Sequence, residues 1–278
     1  MHFSSKDGKH KVTLNLSVYE GSGLMNDSFI REWAYEYAQK FPPMKTNKCL
    51  VILSGGLDST VLLYHLIKEG FECHALGVNY GQRHGKELAY AQASCVKLGI
   101  PFELADLTAI THLLGGSSQT DPSLPVPEGH YAADSMKLTV VPNRNMIMLS
   151  IAMGYAISLK LDFIAFGAHA GDHTIYPDCR PEFADKMDDI AQICDWHKLR
   201  LVRPFIHKTK TDIVQLGHEL GVPFEDTWSC YKGGEIHCGV CGTCQERRGA
   251  FVEAGVVDPT VYEQTPTIAA APEDDGKI

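Results

Sequence analysis

The 278-residue chain is 44% hydrophobic and 21% charged, which excludes collagen-like and wholly disordered chains. Its net charge of -9 disfavours broad electrostatic binding to a phosphate backbone, so no nucleic-acid partner is expected. Met1–Lys11 has no apolar signal core, and the uncharged run from Met146 to Leu159 is shorter than the roughly 20 residues that cross a bilayer; the expectation is a cytoplasmic protein with no membrane partner.

Residues 12–19 alternate, with Val12, Leu14, Leu16 and Val18 on one side, the pattern of a half-buried strand. Asn26-Asp27-Ser28 offers an N-cap, Phe29, Ile30, Trp33, Ala34, Tyr37 and Phe41 follow at helical spacing, and Pro42-Pro43 stops the helix. Residues 1–47 therefore read as a short strand-helix extension. The body, residues 48–225, opens with the apolar run Cys49–Leu53, a buried parallel strand by pattern. Helices are predicted at 59–68, 86–98, 143–160, 181–196 and 209–220, and strands at 73–80, 102–104, 162–167 and 201–202. Alternating strands and helices imply right-handed crossovers and an α/β fold with a parallel, Rossmann-like sheet covered on both faces. Residues 115–142 are rich in Gly, Ser and Pro and read as a long loop, the kind that often covers a binding site. A cysteine-rich segment spans 226–263, and a tail expected to be disordered spans 264–278.

Four of the nine cysteines, Cys230, Cys238, Cys241 and Cys244, follow C-x7-C-x2-C-x2-C. In a cytosolic chain this crowding reads as a metal site rather than disulfides, and four thiolates with no open position suit structural Zn2+. Replacement of one ligand by His237, an iron–sulfur cluster, and four independent thiols are the competing readings.

Leu53-Ser54-Gly55-Gly56-Leu57-Asp58-Ser59-Thr60 lies between the first body strand and its helix, at the sheet edge where α/β proteins bind ligands. Two glycines let the backbone approach an anion, and the helix N-terminus adds amide donors and a positive dipole end. Asp58 suits Mg2+ beside phosphates rather than the phosphates themselves. No G-x-x-x-x-G-K-[ST] or G-x-G-x-x-G pattern is present, so the turn suits a pyrophosphate leaving group better than γ-phosphate transfer. An ordinary strand-to-helix turn is the plain alternative.

S-G-G-x-D-S resembles the loop of the PP-loop N-type ATP pyrophosphatases. Asn79–His84, V-P-N-R-N at 141–145, Tyr176–Phe183 and Thr227–Cys230 narrow the likeness, over roughly residues 48–260, to the 7-cyano-7-deazaguanine synthases. In that pattern a glycine is usual where Asn143 stands, and residues 1–47 fall outside it. The resemblance implies a fold of the adenine nucleotide α-hydrolase type, ATP as cosubstrate, 7-carboxy-7-deazaguanine and free ammonia as substrates, and adenylation of the carboxylate and then of the amide to reach the nitrile. It also implies a homodimer. It makes Arg144 and Lys208 (or Lys210) candidates for phosphate charge stabilisation. Gln82 becomes a candidate for binding substrate, Arg83 for pairing with the substrate carboxylate, His84 for ammonia protons, and Asp178 and Glu182 for the guanine-like edge. His169, Asp172 and His173 read as a polar active-site loop, with a metal constellation as the less favoured alternative, and Cys179 as a less favoured nucleophile. A further departure is Gly167–Ile175, which reads G-A-H-A-G-D-H-T-I; with the unmatched extension it leaves a second reading, the same adenylation used to attach the deazaguanine to a protein or another amine, stopping at the amide. A zinc-dependent binding module and a tRNA sulfurtransferase of the same superfamily are further alternatives.

Overall fold

The computed structural model describes residues 2–4, 11–13, 46–83, 85–131 and 134–265. The chain divides into two compact units, 1–45 and 46–278. In the first, β1 (His2–Ser4) pairs antiparallel with β2 (Lys11–Thr13), Phe3 opposite Val12. The predicted strand beyond Thr13, the predicted helix over 29–41, His84 and most of the predicted disordered tail lie outside the described residues.

The second unit is built from β3 (Lys48–Ile52), α1 (Leu57–Lys68), β4 (Glu72–Asn79), α2 (Lys86–Leu98), β5 (Phe102–Asp106), α3 (Arg144–Ser158), β6 (Phe163–Ala165), α4 (Pro181–Ala191), β7 (Arg200–Val202), α5 (Lys210–Glu219) and α6 (Gly242–Ala254). The five strands run parallel in the order β5-β4-β3-β6-β7. Because successive side chains on a strand point to opposite faces, Leu50 and Ile52 of β3 join one core with Leu149, Ala152 and Met153 of α3 and Ala184 and Met187 of α4. Cys49 and Val51 join the other, with Val61, Leu62 and Leu66 of α1, Ala91 and Cys95 of α2, Ile213 and Val214 of α5, and Phe251 of α6. The continuous apolar run of β3 follows from burial on both faces.

Strand order reverses between β3 and β6: the chain builds outward through β4 and β5 and then returns to the other side of β3. Such a reversal leaves a crevice outside the carboxyl ends of the two central strands, where open α/β sheets bind ligands. Gly167, just after β6, faces the Asp58–Ser59 backbone so closely that a Cβ there would lie 3.4 Å from it.

The largest departures from expectation are one helix end and the long loop. The helix from Pro181 stops at Ala191 rather than Trp196, because Ile193 and Cys194 turn back to the Ile190 carbonyl. The stretch 115–142 contains the 3-10 turn Asp134–Thr139 and is packed rather than open: Ser117, Ser118, Met136 and Thr139 are buried. It is pinned to the cysteine segment by Gly129 N–H donating to the Val240 carbonyl, at 3.2 Å.

Candidate active site

The crevice holds a cavity of about 210 Å³, floored by the carboxyl ends of β3, β4 and β6 and walled by α1, α2, α3, α5, α6 and the long loop. On its phosphate-loop side Gly55 adopts φ +85°, and a Cβ there would lie 2.0 Å from the Glu87 carbonyl oxygen. Only glycine lets the loop rest on the first turn of α2. The Gly55 carbonyl accepts from Trp228 N–H at 2.9 Å, so the cysteine segment also grips the turn. Ser54 Oγ accepts from Gly56 N–H at 3.2 Å and lies 3.1 Å from Ser59 Oγ. Gly56, the N-cap of α1, makes no side-chain cap; the helix's first amides and dipole end therefore remain available to an anion.

Of the eight loop residues named from sequence, Leu53, Ser54, Gly56, Asp58 and Ser59 line the cavity. Gly55 and Leu57 shape the turn from behind. Thr60 is fully buried and donates its hydroxyl to the Gly56 carbonyl at 2.8 Å.

Asp58 Oδ2 accepts from Lys210 Nζ at 2.6 Å, and Lys210 lies 3.5 Å from Glu246 of α6. His169 Nε2 stands 3.8 Å from Asp58 and 3.6 Å from Asp172, and Tyr131 Oη donates to Asp172 at 3.0 Å. Burial pushes the Asp58 carboxyl up, but Lys210 and His169 outweigh it and hold the group below its usual range. The remaining oxygen, Oδ1, is buried without a hydrogen-bond partner. An orphaned carboxylate oxygen beside an anion-binding helix end is what a divalent cation would satisfy.

Across the cavity Arg144 lies 5.9 Å from the Tyr80 ring and 5.7 Å from the Tyr176 ring. Tyr131, Tyr176 and Tyr231 line the same wall, an aromatic surface suited to a flat heterocycle. Glu87, in the first turn of α2, accepts from Gln82 Nε2 at 3.4 Å; burial pushes its carboxyl up to about 7 against the opposing pull of Arg144 and Gln82.

Several residues named from sequence sit elsewhere. Arg83 donates Nη2 to the Asp121 and Leu124 carbonyls at 2.9 and 2.8 Å; it braces the long loop and does not line the cavity. Gln82 is buried behind Glu87, held by Tyr80 N–H and the Val78 carbonyl. Asp178 accepts from Asn145 N–H at 2.9 Å, satisfying an α3 amide that has no partner within the helix. Glu182 is exposed on α4. Of the two lysines, Lys210 reaches the loop, whereas Lys208 is exposed and only its backbone carbonyl, accepting from Ala170 N–H, serves the site. Cys179 lines the cavity, but burial pushes its thiol well up and Asn145 Nδ2 donates to it at 3.2 Å, a poor setting for a nucleophilic thiolate.

Glu246 and Glu87 escaped the sequence reading, although each is an acid near the start of a helix next to a named motif. The tyrosine wall left no periodic signal.

The sulfurs of Cys230, Cys238, Cys241 and Cys244 all lie within 4.8 Å of one another, and all four residues are buried. Cys238 and Cys241 N–H donate to the sulfurs of Cys230 and Cys238 at 3.4 Å. Four thiolates this close repel one another, and a bound cation would offset that repulsion. The set can hold a metal ion. His237 is not part of it: its Nε2 accepts from Ser229 N–H at 3.0 Å, and its ring packs on Trp228. Arg247, fully buried on α6, donates to Thr227, Ser229 and the Phe224 carbonyl, tying 224–229 to the helix that carries Cys244 and Glu246.

Among the described residues no helix is long and apolar enough to cross a membrane. Residues 48–255 match the family model described as Queuosine biosynthesis protein QueC. A 7-cyano-7-deazaguanine synthase of Pseudoalteromonas atlantica is 52% identical over 216 residues, covering 78% of this chain and 99% of that protein. One of Methanoregula boonei is 51% identical over the same length with the same coverage. Among solved structures, NMN synthetase from Francisella tularensis superposes at a TM-score of 0.46 with 15% identity, covering 83% of this chain and 85% of that one, a likeness too distant to bear on activity. The chain belongs to the QueC family of queuosine biosynthesis proteins.

Proposed function

We propose that the protein is a 7-cyano-7-deazaguanine synthase: it converts 7-carboxy-7-deazaguanine and ammonia to the nitrile, with ATP split to AMP and pyrophosphate at each of two adenylations. The observation that carries the reading is Asp58, paired with Lys210 through one oxygen and orphaned at the other, at the mouth of an uncapped helix in a chain of this family.

The pyrophosphate part of ATP lies against Ser54, Gly56, Ser59 and the first amides of α1, with Lys210 offsetting charge as the leaving group forms. Asp58 would hold magnesium, which when bound would supply further charge neutralisation on the phosphates. Arg144 faces the α-phosphate and the substrate carboxylate, where its planar fork suits oxyanions. The tyrosine wall stacks on the deazaguanine ring and excludes water. Zinc is the metal that best fits the four-thiolate set; when bound it fixes the segment that carries Trp228 and Glu246. Two copies per functional unit and a cytoplasmic location accord with this reading.

The test is product analysis by mass after incubation with ATP, magnesium, ammonium and the deazaguanine acid. The expected result is the nitrile, with two AMP per nitrile. Arrest at the amide, or transfer of the deazaguanine to a protein or another amine, overturns it.

A further inference from the structure

Stacking holds a flat ring but tolerates many rings, because each has a π-face. The direction of hydrogen bonds is what tells one heterocycle from another. Arg144, Lys210 and the first amides of α1 are donors, suited to phosphate and carboxylate oxygens. Tyr131 and Tyr176 line the same cavity, and the bonds their hydroxyls already make fix what those hydroxyls can offer a ligand.

For Tyr176 the direction is set by a carbonyl. Thr139 is fully buried behind the cavity wall and donates its hydroxyl to the Met136 carbonyl at 2.7 Å, a back-bond within the 3-10 turn Asp134–Thr139. A hydroxyl carries one proton, so in the 2.6 Å contact between Thr139 Oγ1 and Tyr176 Oη the donor is Tyr176. With that proton committed, Tyr176 Oη can only accept, both from Tyr231 Oη at 3.4 Å and from a ligand. Tyr131 arrives at the same state through a carboxylate. It donates to Asp172 Oδ1 at 3.0 Å, and a carboxylate oxygen only accepts. The other Asp172 oxygen accepts from His169 N–H at 3.4 Å. Burial pushes both phenols up, so each keeps the proton it donates.

Resting on the synthase reading, we propose that Tyr131 and Tyr176 recognise the base by accepting N–H bonds from the N1 and 2-amino edge of the deazaguanine, and that Thr139 is the positioning residue that holds Tyr176 as an acceptor. That edge carries two neighbouring donors and lies on the far side of the bicycle from the 7-carboxylate that Arg144 faces. An adenine-like edge carries a lone pair at N1 and only a C–H at C2. It would leave both phenol oxygens without a bond and set a lone pair against them. The substrate class selected is a 2-amino-6-oxo deazapurine acid.

The test compares 7-carboxy-7-deazaguanine with 7-carboxy-7-deazaadenine in ATP–pyrophosphate exchange, which reads binding and adenylation before ammonia enters. The wild type should favour the guanine-like acid in kcat/KM by at least about 100-fold. Tyr131→Phe and Tyr176→Phe should each cut that ratio about tenfold or more, with KM for ATP within about threefold of the wild type. Thr139→Val, close in shape, releases the Tyr176 proton to turn toward N1 of the adenine-like acid, and should cut the ratio about tenfold. Thr139→Ser keeps both bonds and should restore it. A wild-type ratio near one, or phenylalanine variants that keep the wild-type ratio, overturns the proposal. Equal losses with both acids overturn it too, since they mark a structural role, as does a rise in KM for ATP alone, since the wall would then hold the nucleotide. If neither acid supports exchange in the wild type, the synthase reading itself fails, a result distinct from an enzyme that exchanges without discriminating.

Discussion

Asn143 opens α3 at φ +56°, in the left-handed region that glycine enters freely and asparagine better than other L-residues. The glycine that the resemblance implies at this position and this chain's asparagine would both meet one backbone demand. Asn143→Gly should therefore leave stability within about 1 kcal/mol, whereas the β-branched Asn143→Val should cost about 1–2 kcal/mol, read from urea midpoints. Lys210→Met removes the cation beside Asp58 and Glu246 and should cost about 3 kcal/mol at neutral pH. The Asp58 carboxyl is held low, so the stability it gains from Lys210 is complete above its unfolded pKa of about 4 and lost as pH falls through its folded value. The gap between wild type and variant should accordingly narrow below about pH 4 in denaturant titrations. S-G-G-x-D-S already pointed to Asp58. Which lysine would meet it was not legible, because Lys208 and Lys210 differ only in how the turn before α5 aims them.

At the scale of elements, α2 runs over the residues its periodicity predicts, 86–98, stopped by Gly99 at φ +66°. Helix period, caps and prolines are local, and sequence reports local physics well. The candidate site was read less completely. Asp178 and Glu182 precede and open α4, which suggested base recognition, yet Asp178 satisfies an amide of α3, an interaction no spacing within its own segment reveals. Tyr131 reaches the cavity because Met136 and Gly129 pack the long loop onto the cysteine segment. That segment carries its own prediction. Cys244→Ser, or metal removal by a chelator, should unlock the start of α6 and with it Arg247, Glu246 and Trp228. We expect loss of bound metal, a destabilisation of several kcal/mol and loss of ATP turnover, measured by metal analysis, thermal unfolding and AMP release. A variant that keeps its stability and activity without metal would contradict the coupling.

For the whole molecule, alternating strands and helices announced a parallel sheet, but not its order. Only the structure shows β3 flanked by β4 and β6, and that reversal brings the loop after β3, Gly167 after β6 and Lys210 at the start of α5 to one crevice. The family match begins at residue 48, so a chain starting at Thr46 should retain nitrile formation within about threefold of the full protein; its loss would give residues 1–45 a part in the reaction. The most direct test of the account is ATP–pyrophosphate exchange dependent on 7-carboxy-7-deazaguanine, with ammonia withheld. The wild type should exchange, and Asp58→Asn should do so at least about 100-fold more slowly. Equal exchange by both, or release of ADP in place of AMP, would contradict it.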